Sequence, residues 1–204
     1  SSVGAFKLRS EHGVRRGDLV PLLMSKGAAM VVAMFSILKA GAAYVPLPPD
    51  VPLDRLRFII GETDSQLVVT TANYDHLAQD LSLPAVTWDV AQLQKQSSQG
   101  STRGNAVYDS DDSRSCSDLA YLLFTSGSSG TPKGVMIEHS ALATTVLVNG
   151  RHHTGYQVGT RTLSFAAYTF DVNVIEIYLA LLHGGCIFIP PDDRRLGDLC
   201  GYIT

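Results

Sequence analysis

Short apolar runs alternate with longer helical stretches from the first quarter of the chain onward. Leu19 to Met24 is a continuous apolar run and predicts a buried strand; Ala28 to Ala40 has the length of a helix, and Ala43 to Leu47 predicts a second strand. Pro52 suits the first turn of a helix over Leu53 to Glu62, and Leu67 to Thr71 is a β-rich strand. Tyr74 to Leu81 and Ala85 to Trp88 repeat the unit. This alternation predicts an α/β fold, with strands and helices alternating around a largely parallel layered sheet.

From Gln92 to Ser117 the pattern lapses into Ser, Gln, Gly, Asp and Arg, which reads as a polar loop or linker within the domain. Order returns with strands over Leu119 to Phe124 and Val135 to Ile137, and with a helix starting near Ser140, a good N-cap residue. Thr162 to Ala167 predicts a further strand. Ile175, Tyr178, Leu179 and Leu182 then fall on one helical face, stopped by Gly184-Gly185 before a strand over Cys186 to Ile189.

Composition narrows the class. The chain has 204 residues, 16 Lys and Arg against 19 Asp and Glu, and a formal charge of −3, which disfavours a nucleic-acid clamp or a polybasic membrane anchor. Hydrophobic residues at 45% supply a core large enough to offset chain entropy. The apolar stretch Gly27 to Leu38 is shorter than the roughly 20 residues a membrane-spanning helix needs, and no secretory signal is visible at the N-terminus. Three cysteines without C-x-x-C spacing suit a reducing compartment, so a cytoplasmic location is expected.

The sharpest chemical feature is Thr125-Ser126-Gly127-Ser128-Ser129-Gly130-Thr131-Pro132-Lys133-Gly134, set between two apolar strands. Glycines let backbone N–H groups converge, hydroxyls add donors and Lys133 adds a positive charge, a set that suits a polyphosphate. A plain Gly/Ser connector is the rival reading, and the Ser-rich stretch before Ser117 has that character; it lacks the tight strand flanks and the Pro-Lys-Gly exit. The order of residues fits neither G-x-x-x-x-G-K-[ST] nor G-x-S-x-G, since Thr131 stands where the latter needs glycine. A Ser-Ser-Gly amidase-like loop using Ser128 or Ser129 stays open at this point. Asp171 just ahead of the apolar helix has the look of an N-cap. His152, His153 and His183 have no cluster at ligand spacing, and Tyr168, Phe170 and Tyr178 are expected to pack in the core.

Leu119 to Val135 resembles the signature of adenylate-forming enzymes. Leu38-Lys39-Ala40-Gly41-Ala42-Ala43-Tyr44-Val45-Pro46-Leu47 resembles an upstream core motif of the adenylation domains of nonribosomal peptide synthetases, and Phe165 to Tyr178 resembles their substrate-pocket motif. The three occur in the family's order, and the resemblance runs roughly from Val14 onward. Pro48 stands where the family usually has aspartate, Ser129 where threonine is commoner and Asn173 where serine is usual. The family's adenine- and ribose-binding segments and its catalytic lysine have no counterpart in the chain, so residues 1–204 resemble a partial domain, part of the N-terminal subdomain of the fold.

The resemblance implies activation of an amino acid by ATP with Mg2+ to an aminoacyl-adenylate and pyrophosphate, then transfer to a phosphopantetheine thiol, with carrier and condensation domains as partners. It implies that Thr125, Ser126, Gly127, Ser128, Ser129, Gly130, Thr131 and Lys133 hold the phosphates. Asp171 would hold the substrate α-ammonium, with Val172 and Ile175 lining the side-chain pocket. The Mg2+ ligand and the catalytic lysine are expected outside the chain, which alone is expected to be inactive. An acyl-CoA ligase of the same superfamily and a non-catalytic remnant are the alternatives; Asp171 argues against the first and the missing segments argue for the second.

Overall fold

Five parallel strands and one antiparallel strand form the main sheet of the computed structural model, which describes residues 1–98, 115–125, 131–152, 155–190 and 197. The chain divides into two compact units, one of Ser1–Ser25 with Ala29–His139, the other of Lys26–Ala28 with Ser140–Thr204.

In the first unit the strands are β1 (Leu19–Leu23), β2 (Ala43–Leu47), β3 (Val68–Thr70), β4 (Ala85–Thr87), β5 (Leu119–Thr125) and β6 (Lys133–Glu138). Their order is β4-β3-β1-β2-β5-β6, parallel except for the β5–β6 hairpin. Pro21 and Pro46 lack an N–H to donate. The ladders beyond them are correspondingly short, Leu22↔Val69 and Leu23↔Thr70 on one side, Tyr44↔Tyr121 on the other. The helices between strands are α1 (Ser2–Ser10), α2 (Ala28–Ala40), α3 (Leu53–Thr63), α4 (Asp75–Asp80) and α5 (Val90–Ser98). Leu56 and Ile59 of α3 and Ala78 of α4 bury against Leu23, Val45, Leu47, Val68 and Leu122 of the sheet. That cluster, removed from water at roughly 25 cal/mol per Å² of apolar surface, is the core that fixes the strand ends.

The expected helix over Ala28 to Ala40 and strand over Ala43 to Leu47 form with those bounds, and Pro52 stands at the N-cap of α3. Two features differ from the hydropathy pattern. A helix occupies Val90–Ser98, so the first residues of the expected polar loop are helical. Asp89 starts it by accepting the N–H groups of Ala91 and Gln92, a local cap that outweighs the polar composition. The helix α1 was not expected, because only Gly4, Ala5 and Leu8 are buried and so short an apolar face carries little signal. Gly4 is required there, since a Cβ would lie 2.5 Å from Ser36 Oγ and 2.6 Å from the Trp88 ring.

The base of the hairpin is tied down by a bidentate ion pair. Arg16 donates from Nη2 to Asp118 Oδ1 at 2.7 Å and from Nε to Oδ2 at 2.8 Å, while the Asp118 carbonyl accepts His139 N–H. The guanidinium, helped by Ser115 N–H, holds the Asp118 carboxyl below the usual carboxylate range.

The second unit contains α6 (His139–His152, from Ser140 on), β7 (Arg161–Leu163), α7 (Asp171–Leu182) and β8 (Cys186–Phe188). β7 and β8 pair in parallel, and the Arg161 guanidinium lies 4.2 Å from the centre of the Phe188 ring. Gly184, at φ 72°, turns the chain out of α7, and Gly185 donates to Ala180 O at 2.7 Å. The expected strand over Thr162 to Ala167 ends at Leu163: Ser164 N–H still donates to Phe188 O, but Lys26 takes the Ser164 and Ala166 carbonyls and Glu176 takes the Ala166 N–H that a longer ladder would have used. The buried face of α7 is also shifted from the expected one. Asn173, Val174, Ile177, Tyr178, Leu179 and Ala180 are buried, Ile175 is half-buried and Leu182 is 63% exposed. Of the three aromatics expected in the core, Tyr168 and Tyr178 are buried and Phe170 is exposed.

Candidate functional site

The phosphate-loop candidates close the β5–β6 hairpin. Thr125 ends β5 opposite Lys133, the first residue of β6, and Thr125 Oγ1 donates to the Lys133 carbonyl at 3.4 Å. Both stems are thus held across the strand pair, and the loop leaves the carboxyl end of a parallel strand, where open α/β sheets take their ligands. Ser126, Gly127, Ser128, Ser129 and Gly130 lie outside the described residues. Thr131 and Lys133 are exposed. Behind them, a Cβ on Gly134 would stand 3.0 Å from Leu122 Cδ1 and 3.5 Å from the Phe124 ring, so glycine lets β6 lie close over β5. The Tyr121 ring stacks on Tyr44 of β2 at 5.4 Å between centres, which locks β5 to the parallel sheet.

The substrate candidates belong to the second unit. Asp171 is the first residue of α7, and Phe170, in extended conformation, occupies the N-cap. The capping role therefore falls to Asp171 from inside the helix: Oδ1 accepts the Val172 N–H at 2.8 Å, and the carboxylate lies at the positive end of the helix dipole. The side chain is exposed, so the carboxylate retains acceptor capacity for a cationic group. Val172 is 52% exposed beside it, and Ile175, one turn on, is half-buried.

Sequence reasoning missed the polar cluster beneath this turn. Asn173 is fully buried and donates from Nδ2 to Ser164 Oγ at 2.8 Å, to Ala166 O at 3.2 Å and to Glu176 Oε2 at 3.2 Å. A signal was available: Asn173 and Glu176 stand three apart, one helical turn, in an otherwise apolar segment. Of the histidines, His183 turns Nδ1 to Leu179 O at 2.9 Å and lies over Gly150. His152 ends α6, and His153 lies outside the described residues. Among the described residues no three His, Cys, Asp or Glu side chains converge, and no helix is long and apolar enough to cross a membrane.

With this geometry in place, known proteins give a consistent match. The profile of the AMP-binding enzyme family matches residues 5–204. Nonribosomal peptide synthetase ivoA of Emericella nidulans is 40% identical over 96% of this chain, which covers 11% of that synthetase. HC-toxin synthetase of Cochliobolus carbonum is 38% identical over 98% of the chain, which covers 4% of it. The chain therefore spans about a tenth or less of the length of these relatives. Among solved structures, a four-domain nonribosomal peptide synthetase bound to AMP and glycine matches with a TM-score of 0.70 and 28% identity, over 92% of this chain and 13% of that one. A fatty acyl-adenylate ligase from L. pneumophila shares the fold at a TM-score of 0.78 and 24% identity, over 98% of this chain and 34% of that one.

Proposed function

The chain belongs to the AMP-binding enzyme family, and from that premise we propose that it is part of the adenylation domain of a nonribosomal peptide synthetase, activating an amino acid for transfer to a carrier domain. The observation that carries this reading is Asp171: an exposed carboxylate at the first position of α7, within a segment resembling the family's substrate-pocket motif. An acyl-CoA ligase has no α-ammonium for such a group to meet.

In the first half-reaction a carboxylate oxygen of the amino acid attacks the α-phosphorus of ATP. The new C–O–P bond forms as the bond from that phosphorus to the pyrophosphate oxygen breaks, and pyrophosphate leaves with the electron pair. Negative charge grows on the leaving group. Thr125, Thr131, Lys133 and the loop residues Ser126, Gly127, Ser128, Ser129 and Gly130 would meet it with hydroxyl, N–H and ammonium donors arranged in advance. Asp171 would hold the α-ammonium by a charge-assisted hydrogen bond and so fix the orientation of the bound amino acid. Val172 and Ile175 would offer an apolar wall to the substrate side chain. In the second half-reaction the thiolate of a carrier's phosphopantetheine arm attacks the acyl carbon and AMP departs. The nucleotide enters as its Mg2+ complex, whose protein ligand is expected outside this chain. The exposed free thiols Cys116 and Cys186 suit a reducing, cytoplasmic setting.

The test is ATP–pyrophosphate exchange by the complete protein, supplied in turn with each proteinogenic amino acid and with medium-chain fatty acids. Exchange dependent on one or a few amino acids is expected; exchange driven by fatty acids alone would transfer the chain to the acyl-ligase branch. Residues 1–204 by themselves are expected to give no exchange, because the groups that hold adenine and ribose in the family have no counterpart here and positioning supplies much of the acceleration.

A further inference from the structure

The backbone leading into α7 is gripped by side chains from three directions. Lys26 Nζ donates to Ser164 O at 2.6 Å and to Ala166 O at 2.5 Å. Glu176 accepts Ala166 N–H on Oε1 at 3.2 Å and Ser164 Oγ–H on Oε2 at 3.1 Å. Asn173 donates to Ser164 Oγ, Ala166 O and Glu176 Oε2. Both polar groups of the Ala166 peptide and the Ser164 hydroxyl are thus committed, and Ser164 and Asn173 are fully buried.

The orientation of the Asn173 amide follows from its surroundings. The Ala166 carbonyl and the Glu176 carboxylate can only accept, so the NH2 end must face them, and Oδ1 is left buried with no hydrogen-bond partner among the described residues. Retaining an unsatisfied acceptor in a core is costly, and a serine or an alanine would avoid it. What the longer amide supplies in return is reach: it bonds at once to the incoming strand end and to the next turn of its own helix. The cluster closes both ends of the segment 164–173, and Asp171 lies inside that closed segment. Directional bonds of this kind fix one geometry where apolar packing would tolerate several.

We propose that Asn173 and Glu176, with Lys26, are positioning residues that set where Asp171 presents its carboxylate to the α-ammonium of the substrate. The proposal rests on the amino-acid reading above and adds to it the residues through which the recognition point is held. Asn173 and Glu176 touch no substrate; they act through the first turn of α7.

The experiment uses the complete protein and the amino acid that supports the fastest pyrophosphate exchange, alongside its des-amino analogue measured as substrate or competitive inhibitor. Asp171→Asn should weaken the amino acid and leave the analogue unchanged. Asn173→Ala and Glu176→Gln should do the same in smaller measure, raising KM for the amino acid roughly tenfold with KM for ATP within about twofold, since small misplacements of a binding group carry penalties of that order. Asn173→Ser, which restores one short donor, should recover part of the loss. A fall in melting temperature with unchanged KM, or equal weakening of amino acid and analogue by Asn173→Ala or Glu176→Gln, would overturn the positioning role while leaving Asp171 in place. Equal weakening by Asp171→Asn itself would overturn the ammonium reading and the positioning proposal together. Should Asn173→Ala fail to fold, the volume-conserving Glu176→Gln decides.

Discussion

The residues proposed to hold ATP and those proposed to hold the amino acid are supported in opposite ways. Lys133 begins an edge strand whose residues are mostly exposed, Val135 at 45% and Met136 at 65% among them, and its hold on the fold is the ladder to β5 and the ion pair at the hairpin base. Asp171 stands on a helix whose next turns are buried at Val174, Ile177 and Tyr178, over a polar cluster that takes both the N–H and the carbonyl of Ala166. The difference matches the chemistry asked of each. A polyphosphate is gripped by many donors at once, so the loss of position by any one is shared. A single carboxylate meeting a single ammonium has no such redundancy, and its geometry must be held from behind.

That comparison makes Lys133 the first place to press. It is the only full positive charge among the loop candidates, so redundancy should fail for it alone. Lys133→Ala in the complete protein is expected to lower the exchange rate by about 10²–10³, the scale for removing one donor aimed at developing charge. The exposed side chain makes a folding defect an unneeded explanation. An exchange rate near wild type would mean that the ammonium is not aimed at the phosphates.

The second test concerns support. Ile177→Ala, in the second turn of α7, removes a fully buried side chain and should cost about 2–5 kcal/mol, whereas Met136→Ala in β6 should stay within roughly 0.5 kcal/mol. Hydrogen exchange of α7 and β6 amides in the complete protein reads the two locally. Comparable costs at the two positions would erase the distinction between an edge-mounted and a core-mounted site.

The same contrast governs how much could be read from the chain. Strongly apolar elements announce themselves: the runs at Ala28–Ala40 and Ala43–Leu47 give their own bounds, broken only by the buried Ser36 and by Lys39 in the last helical turn. The motif residues Thr125, Lys133 and Asp171 were legible by type and order, and so was the strand–loop–strand setting of the first two. What was hidden depended on contacts far apart in sequence. The choice of Ile177 over Leu182 for the buried face of α7 lies in tertiary packing, since both residues sit in one apolar run. The early end of β7 depends on Lys26, 138 residues from Ser164, and no local pattern carries that distance. A turn-by-turn reading also gave Asp171 the N-cap, one residue off, because Phe170 has the extended backbone that the cap position needs.

The smallest expected effect lies at the base of the hairpin and tests whether the edge-mounted loop depends on its anchor. Arg16 and Asp118 join residues 102 apart, with the carboxyl held below its ordinary range first by the Arg16 hydrogen bonds and then by Ser115 N–H. A carboxyl with a depressed folded pKa contributes stability that is present above its unfolded value, about 3.9, and is lost as pH falls through the lower folded value. The pair is solvent-exposed on the arginine side, so salt should weaken the contribution at every pH. Asp118→Asn is therefore expected to loosen the β5–β6 amides modestly near neutral pH, with the gap to wild type closing below about pH 3.9 and narrowing in high salt. Hydrogen exchange of the hairpin amides across an acid titration measures it. A gap that stays constant through acid would assign the effect to contacts of Asp118 that do not depend on its charge, and the ion pair would then add nothing to the strand ladder and the Tyr44–Tyr121 stack in holding the hairpin.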